Sequence, residues 1–213
     1  SMNMRLIMVK NLLDLYIGTY RLCQNKWLKM FNIFSSFLHE DFFSLDIRKI
    51  KKEILNIKSK DKGRIVSNYG GWQSQSLTTI NKNFQSLFDN INMSVKKIEK
   101  HLNLEKKLSL HNYWCNMNYF GSFNSPHEHP NSVLSGVYYV LTPINSGSIV
   151  FLNDNLDLYY KNNAKKYNEY NSSTWRSIPE ENKCILFPSY LTHYVEPNLN
   201  KKERVSISFN YGF

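Results

Sequence analysis

Apolar residues recur along this chain with two different periods. Over residues 1–28, Leu6, Val9, Leu12, Leu13, Tyr16 and Tyr20 fall at helical spacing, with Arg5, Lys10, Arg21 and Lys26 elsewhere on the wheel. This predicts an N-terminal amphipathic extension that docks on the domain. The run from Phe31 to Leu38 has the texture of a short strand. From the capping residue Ser44, the positions Leu45, Ile47, Ile50, Ile54 and Leu55 predict a helix. A further helix is predicted over Lys82 to His101, carrying Phe84, Leu87, Phe88, Ile91, Val95 and Ile98. Between the two lies a glycine-bearing turn, residues 68–74.

After Asn103 the period drops to two, and Gly, Pro and Asn punctuate the chain at intervals of roughly eight to twelve residues. Candidate strands cover residues 109–119, 133–141, 148–152, 183–187, 193–195 and 204–210. The expected class is mainly β with supporting helices, a β-sandwich or jelly roll. A length of 213 residues suits one core. The reading is thus a 1–28 extension and a single domain over 29–213, with helical support in 29–108 and β structure in 109–213. Residues 153–175 are polar, rich in tyrosine and without period, the kind of long connection that carries function. Its Tyr159, Tyr160, Lys161, Lys165, Lys166, Tyr167 and Tyr170 fit either reception of an acidic or nucleic substrate or a solvated loop.

Lys and Arg total 27 against 17 Asp and Glu, a formal charge of +10. That balance invites a nucleic-acid reading. Only six of the 27 are Arg, however, and a single Ala, Ala164, accompanies abundant Asn, Lys, Ile and Tyr, so part of the excess reflects AT-rich coding. Cys23, Cys115 and Cys184 are odd in number and form no C-x-x-C pair, which disfavours a disulfide framework or a thiolate zinc site and points to a reducing compartment. The best N-terminal apolar stretch, Leu6 to Val9, is stopped by Lys10, and neither a membrane span nor a cleavable leader is read. The expected location is cytoplasmic.

Three of the six histidines cluster in two short segments: His127 and His129 in Ser-Pro-His-Glu-His-Pro, and His193 in Pro-Ser-Tyr-Leu-Thr-His-Tyr. Residues i and i+2 of an extended segment point the same way, so His127 and His129 converge while Glu128 faces away. A third imidazole from a distant strand completes a facial set suited to Fe, Zn, Cu or Ni, with positions open for substrate. The bland alternative is solvated loop histidines. In the last strand Arg204, Ser206, Ser208 and Asn210 alternate with Val205, Ile207 and Phe209. An inward Arg requires an anion, and its planar fork matches a carboxylate; an outward Arg on a wet face is the alternative.

The order His127-x-His129, 63 residues, His193, ten residues, Arg204-x-Ser206 resembles the Fe(II)/2-oxoglutarate dioxygenases, double-stranded β-helix (jelly-roll, cupin-like) enzymes. Asn118-Tyr-Phe-Gly, Ser135-Gly-Val-Tyr-Tyr-Val-Leu, Gly147-Ser-Ile-Val-Phe and Ile185-Leu-Phe-Pro-Ser fit the same pattern. The blocks Ser67 to Ser74, His127 to Pro130 and Phe187 to His193 are similar to those of a small microbial and phage subfamily of 2-oxoglutarate oxygenases, and the likeness spans about residues 29–213. The resemblance implies that His127, His129 and His193 hold Fe(II) and that Arg204 and Ser206 meet the distal carboxylate of 2-oxoglutarate. It implies that 2-oxoglutarate and O2 are co-substrates, and that decarboxylation to succinate is coupled to oxidation, as in a hydroxylase, of an unnamed substrate.

The departure from the family pattern is His129, which stands where a carboxylate ligand is usual. Three neutral ligands leave the centre at formal +2 instead of +1; a kinked loop would instead bring in Glu128 and leave one His outside. Asn116 and Asn118 share a face with Trp114 and are candidates to bond 2-oxoglutarate. Tyr138 and Tyr139 face opposite ways, and Tyr139 is taken as the one that enters the pocket. Trp72 and Gln73 either shape the entrance or pack in the core. The rival readings are a three-histidine cupin-type dioxygenase without 2-oxoglutarate, a basic nucleic-acid-binding β domain, and a β-sandwich with structural zinc.

Overall fold

A computed structural model describes residues 35–153 and 165–213. The expected helix over 1–28, together with Tyr159, Tyr160 and Lys161, lies outside the described residues. The described chain runs β1 (His39–Phe42), α1 (Ile47–Lys58), β2 (Asn68–Tyr69), β3 (Trp72–Gln73), α2 (Gln85–His101), β4 (Ser109–Asn118), β5 (Phe123–His127), β6 (Leu134–Leu141), β7 (Ile149–Leu152), β8 (Thr174–Ser177), β9 (Lys183–Pro188), β10 (His193–Val195) and β11 (Arg204–Gly212). The strands form a larger sheet, ordered β1-β9-β6-β11-β4-β3, and a smaller one, ordered β2-β5-β10-β7-β8. This is the mainly β, two-sheet domain with supporting helices that the change of period predicts.

Both helices cover the outer face of the larger sheet. Helix α1 begins two residues later than Ser44 implies, because Asp46 is the cap and its carboxylate accepts from the Arg48 and Lys49 amides. Its inward stripe is Ile50 and Ile54, while Leu55 is exposed. Helix α2 is entered through a 3-10 turn at Lys82–Phe84 and buries Leu87, Phe88, Ile91, Val95 and Ile98. The Asn81 and Asn83 amides both donate to Glu53 of α1, at 2.8 and 2.7 Å, which ties the two helices together. Below them lie the outward residues of the sheet, among them Tyr113, Cys115, Tyr138, Leu186, Val205, Ile207 and Phe209.

Alternation along each strand therefore serves two interiors. On β11, Val205, Ile207 and Phe209 pack under the helices, while Arg204, Ser206, Ser208 and Asn210 line a cavity between the sheets. At one end of that cavity an apolar cluster of Val137, Tyr139, Ile149, Phe151, Ile185 and Phe187 closes the gap. Gly136 is where β6 comes so close to its neighbours that an added Cβ would stand 2.5 Å from the Phe209 ring and 2.6 Å from the Ile185 carbonyl.

Some expectations are displaced. Residues 35–38 form no strand; the strand is β1, an antiparallel partner of β9 in which inward and outward residues alternate. Charged residues suit such an edge, so apolar texture was a poor guide there. The glycine turn joins two short strands, β2 and β3, that enter opposite sheets, so residues ahead of β4 supply strands as well as helices. Strands β5 and β8 are additional to those expected; Pro126 lies inside β5, where a proline lowers strand expectation. Trp72 is core, 9% exposed, with its indole N–H donating to the Asp61 carbonyl. Among the described residues no helix is long and apolar enough to cross a membrane.

Candidate active site

Strand register builds the histidine cluster. His193 on β10 is paired with His127 on β5 and with Phe151 on β7. Antiparallel partners project to the same face, so the first two imidazoles stand side by side, ring centroids 4.3 Å apart. His129 follows two residues after His127, and its backbone N–H donates to the Ser189 carbonyl at 3.0 Å, which holds the loop against the end of β9. Its ring lies 5.1 Å from His127 and 5.2 Å from His193, against Trp114. One ligand nitrogen from each ring lies within 4.8 Å of the others.

Hydrogen bonds decide which nitrogen faces inward. His127 Nδ1 is 2.8 Å from the Ser125 carbonyl and His193 Nδ1 is 2.8 Å from the Leu191 carbonyl. A carbonyl only accepts, so each Nδ1 carries the proton and each Nε2 keeps its lone pair for a metal, the arrangement by which outer partners orient ligand histidines. Burial lowers the pKa of all three rings, His129 to about 4 and His193 to about 3, with the neighbouring imidazoles adding to the effect at these two. At neutral pH the set is uncharged, the form in which imidazole binds metal. Phe151 and Phe187 wall in His193, with ring centroids at 5.8 and 4.8 Å.

Glu128 is not part of the cluster. It is exposed, and its Oε1 accepts from the Thr192 hydroxyl at 2.7 Å. The alternation of an extended segment thus holds through 127–129, and the kinked arrangement with Glu128 turned inward is not adopted.

Across the cavity, the pairing of β11 with β4 sets Arg204 opposite Asn118, Ser206 opposite Asn116 and Ser208 opposite Trp114; on its other side Ser206 faces Tyr139 of β6. All five residues expected to meet 2-oxoglutarate therefore share one patch of the cavity wall. Arg204 is 3% exposed, and its Nη1 donates to the Ser146 and Gly147 carbonyls at 2.7 Å. Gly147, at φ +86°, makes that carbonyl-presenting turn, which a side chain would block against the Glu196 backbone. Among the described residues no carboxylate pairs with Arg204. Burial lowers its pKa, yet a guanidinium stays charged at any physiological pH. Tyr139, buried beside it, is pushed up to about 12 by burial and so stays protonated. Asn116 is held by its own bond to Ser208 Oγ at 3.0 Å. Tyr138 points the other way, into the core under the helices.

The enclosed volume is about 450 Å³, in the range of small-molecule sites. Arg64, Ser67, Gln73 and Asn124 also line it. Ser67 Oγ sits 3.5 Å from His127 Nε2 and accepts from the Asn124 amide at 3.1 Å. Nothing in their local sequence marks Arg64 or Asn124: Asn124 stands on β5 opposite Asn68 of β2, and Arg64 is placed by its N–H bond to the Gln73 carbonyl. The donor set fits a divalent metal with open positions, and the uncompensated Arg204 fits a carboxylate lying between it and that metal.

Residues 112–210, nearly the whole span from β4 to β11, match the family described as "Putative 2OG-Fe(II) oxygenase". No curated protein sequence matches the chain. Among solved structures, a Pseudomonas putida prolyl-4-hydroxylase is 12% identical with a TM-score of 0.60, covering 82% of this chain and 91% of its own. The 2-oxoglutarate-dependent epimerase SnoN of nogalamycin biosynthesis is 11% identical with a TM-score of 0.61, covering 82% of this chain and 76% of its own. HygX of Streptomyces hygroscopicus, solved with nickel, 2-oxoglutarate and hygromycin B, is 10% identical with a TM-score of 0.58, covering 83% of each chain. Likeness at these identities shows the shared double-stranded β-helix fold, and the stretch that matches the 2OG-Fe(II) oxygenase family, residues 112–210, is the one that carries the histidine cluster and Arg204.

Proposed function

We propose that this chain is a cytoplasmic hydroxylase-type oxygenase in which His127, His129 and His193 hold Fe(II), while Arg204 and Ser206 take the distal carboxylate of 2-oxoglutarate. The observation that carries this reading is the buried guanidinium of Arg204, without a counter-ion among the described residues, in one cavity with three histidine ligand nitrogens that lie within 4.8 Å of one another. A buried charge of this kind is costly until an anion meets it. A three-histidine dioxygenase that does without 2-oxoglutarate leaves Arg204 unexplained. The free, buried Cys115 and Cys184 support a reducing compartment.

When bound, the iron supplies the oxidising chemistry that couples O2 and 2-oxoglutarate to succinate, CO2 and an oxidised substrate. The chain supplies position and charge. The carbonyls of Ser125 and Leu191 keep two imidazoles in the ligand tautomer. Arg204 and Ser206 orient the co-substrate from the wall opposite the histidines, Tyr139 stays protonated as a hydroxyl donor, and Asn116 and Asn118 present amides beside them. Phe151 and Phe187 keep water from His193. Three neutral ligands give the centre a formal +2, which strengthens its attraction for dianionic 2-oxoglutarate.

Calorimetric titration tests the assignment. Arg204→Ala removes one partner of a buried charge pair, a loss of roughly 2–5 kcal/mol, so 2-oxoglutarate affinity should fall by about 30-fold or more. Metal affinity should stay within a few fold. Unchanged 2-oxoglutarate affinity in that variant refutes the assignment.

A further inference from the structure

The cavity holds a second guanidinium. Arg64 lines it, and the Arg64 Nε is buried without a hydrogen-bond partner. Among the described residues no carboxylate pairs with Arg64. The acids nearest to hand are engaged: Asp61 accepts from the Gly63 and Gln75 amides, both at 2.7 Å, and Glu128, which also borders the cavity, accepts from Thr192.

Backbone contacts fix where Arg64 stands. Its N–H donates to the Gln73 carbonyl at 2.8 Å, and its carbonyl accepts from the Asn68 amide at 3.3 Å. Asn68 closes the loop by accepting from the Val66 N–H at 2.9 Å. The same segment brings Ser67 to 3.5 Å from His127 Nε2, so Arg64 is carried on the wall that passes the histidines, not on β11 with Arg204. Val66 borders the cavity and is 64% exposed, which places the opening beside Arg64.

Resting on the function proposed above, we infer that Arg64 recognises an anionic group of the primary substrate, a carboxylate or a phosphate, at the mouth of the cavity. Arg204 already answers the distal carboxylate of 2-oxoglutarate from the opposite wall. Arg64 is then left as a half-buried cation beside the entrance, its Nε enclosed and unpartnered among the described residues, and its planar fork suits an oxyanion by two-point contact.

The test uses the full chain loaded with Mn(II) and saturating 2-oxoglutarate without O2, and reads the paramagnetic relaxation of the methyl protons of acetate, methyl phosphate and acetamide. Acetate or methyl phosphate should be relaxed at least threefold more than acetamide, the stronger of the two naming the group. Arg64→Gln should bring both anions to the acetamide level and Arg64→Lys should keep part of the effect. Arg64→Gln should bind 2-oxoglutarate within twofold of wild type, which also reports an intact fold. Equal relaxation of all three probes by wild type, or undiminished anion relaxation in Arg64→Gln, overturns the inference. Loss of 2-oxoglutarate affinity in Arg64→Gln as severe as in Arg204→Ala overturns it too, because Arg64 then belongs to the co-substrate site. Normal 2-oxoglutarate affinity in Arg204→Ala instead overturns the co-substrate assignment, and with it this division of labour between the two arginines.

Discussion

His129 occupies the position at which the family pattern has a carboxylate, and its neighbour Glu128 carries one. Their side chains lie on opposite sides of the same extended segment: the His129 ring stands with His127 and His193, and the Glu128 carboxylate is bonded to Thr192 at the surface. The two residues should therefore respond differently to replacement. His129→Ala should weaken Fe(II) or Co(II) binding by more than ~100-fold, beyond the 10–100-fold typical of an outer partner, whereas Glu128→Gln should change it by no more than about threefold. The reverse result, read by metal titration, assigns the second ligand to Glu128. This much of the site was legible in the sequence, because period-two geometry alone separates residue 128 from residues 127 and 129. What the sequence concealed is how the rings are oriented: the Ser125 and Leu191 carbonyls that fix the tautomers are main-chain groups, and no residue type announces them.

At the scale of elements, β11 is both floor of the helical core and wall of the cavity, and its strict alternation made both faces readable in advance. Helix α2 supports it from outside: Phe88 is fully buried and meets Phe209 of β11 at 6.3 Å, edge to face, and Tyr113 of β4 at 4.8 Å. Phe88→Ala should cost about 3–5 kcal/mol and lower the melting temperature by roughly 6–20 °C, without altering metal stoichiometry in the protein that remains folded. A melting point within about 2 °C of wild type shows that the helix does not brace the sheet in this way. The helices and the long strands carried enough repeats of their period to be recognised. The two-residue strands β2 and β3, the Pro-containing β5 and the charged edge β1 did not, since pairing with a distant strand, not local pattern, makes each of them a strand. Arg64 and Asn124 went unmarked for that reason.

On the scale of the whole molecule, the +10 balance pointed first to nucleic acid, and the structure places two of the positive charges inside the cavity. Among the described residues two arginines without acidic partners line the cavity, while other basic residues stand in ion pairs such as Lys51 with Glu203, Lys183 with Glu40 and Arg176 with Glu196. The two sheets and their helical backing amount to a frame that holds three neutral imidazoles and one buried cation on facing walls of a 450 Å³ cavity. The most direct measurement of what that frame does is an anaerobic titration of the full chain with Fe(II) and 2-oxoglutarate, followed by admission of O2. A visible charge-transfer band that needs both components, is lost in His193→Ala, and is followed by succinate formation is the predicted result. Absence of the band together with absence of succinate in the wild-type protein contradicts the account.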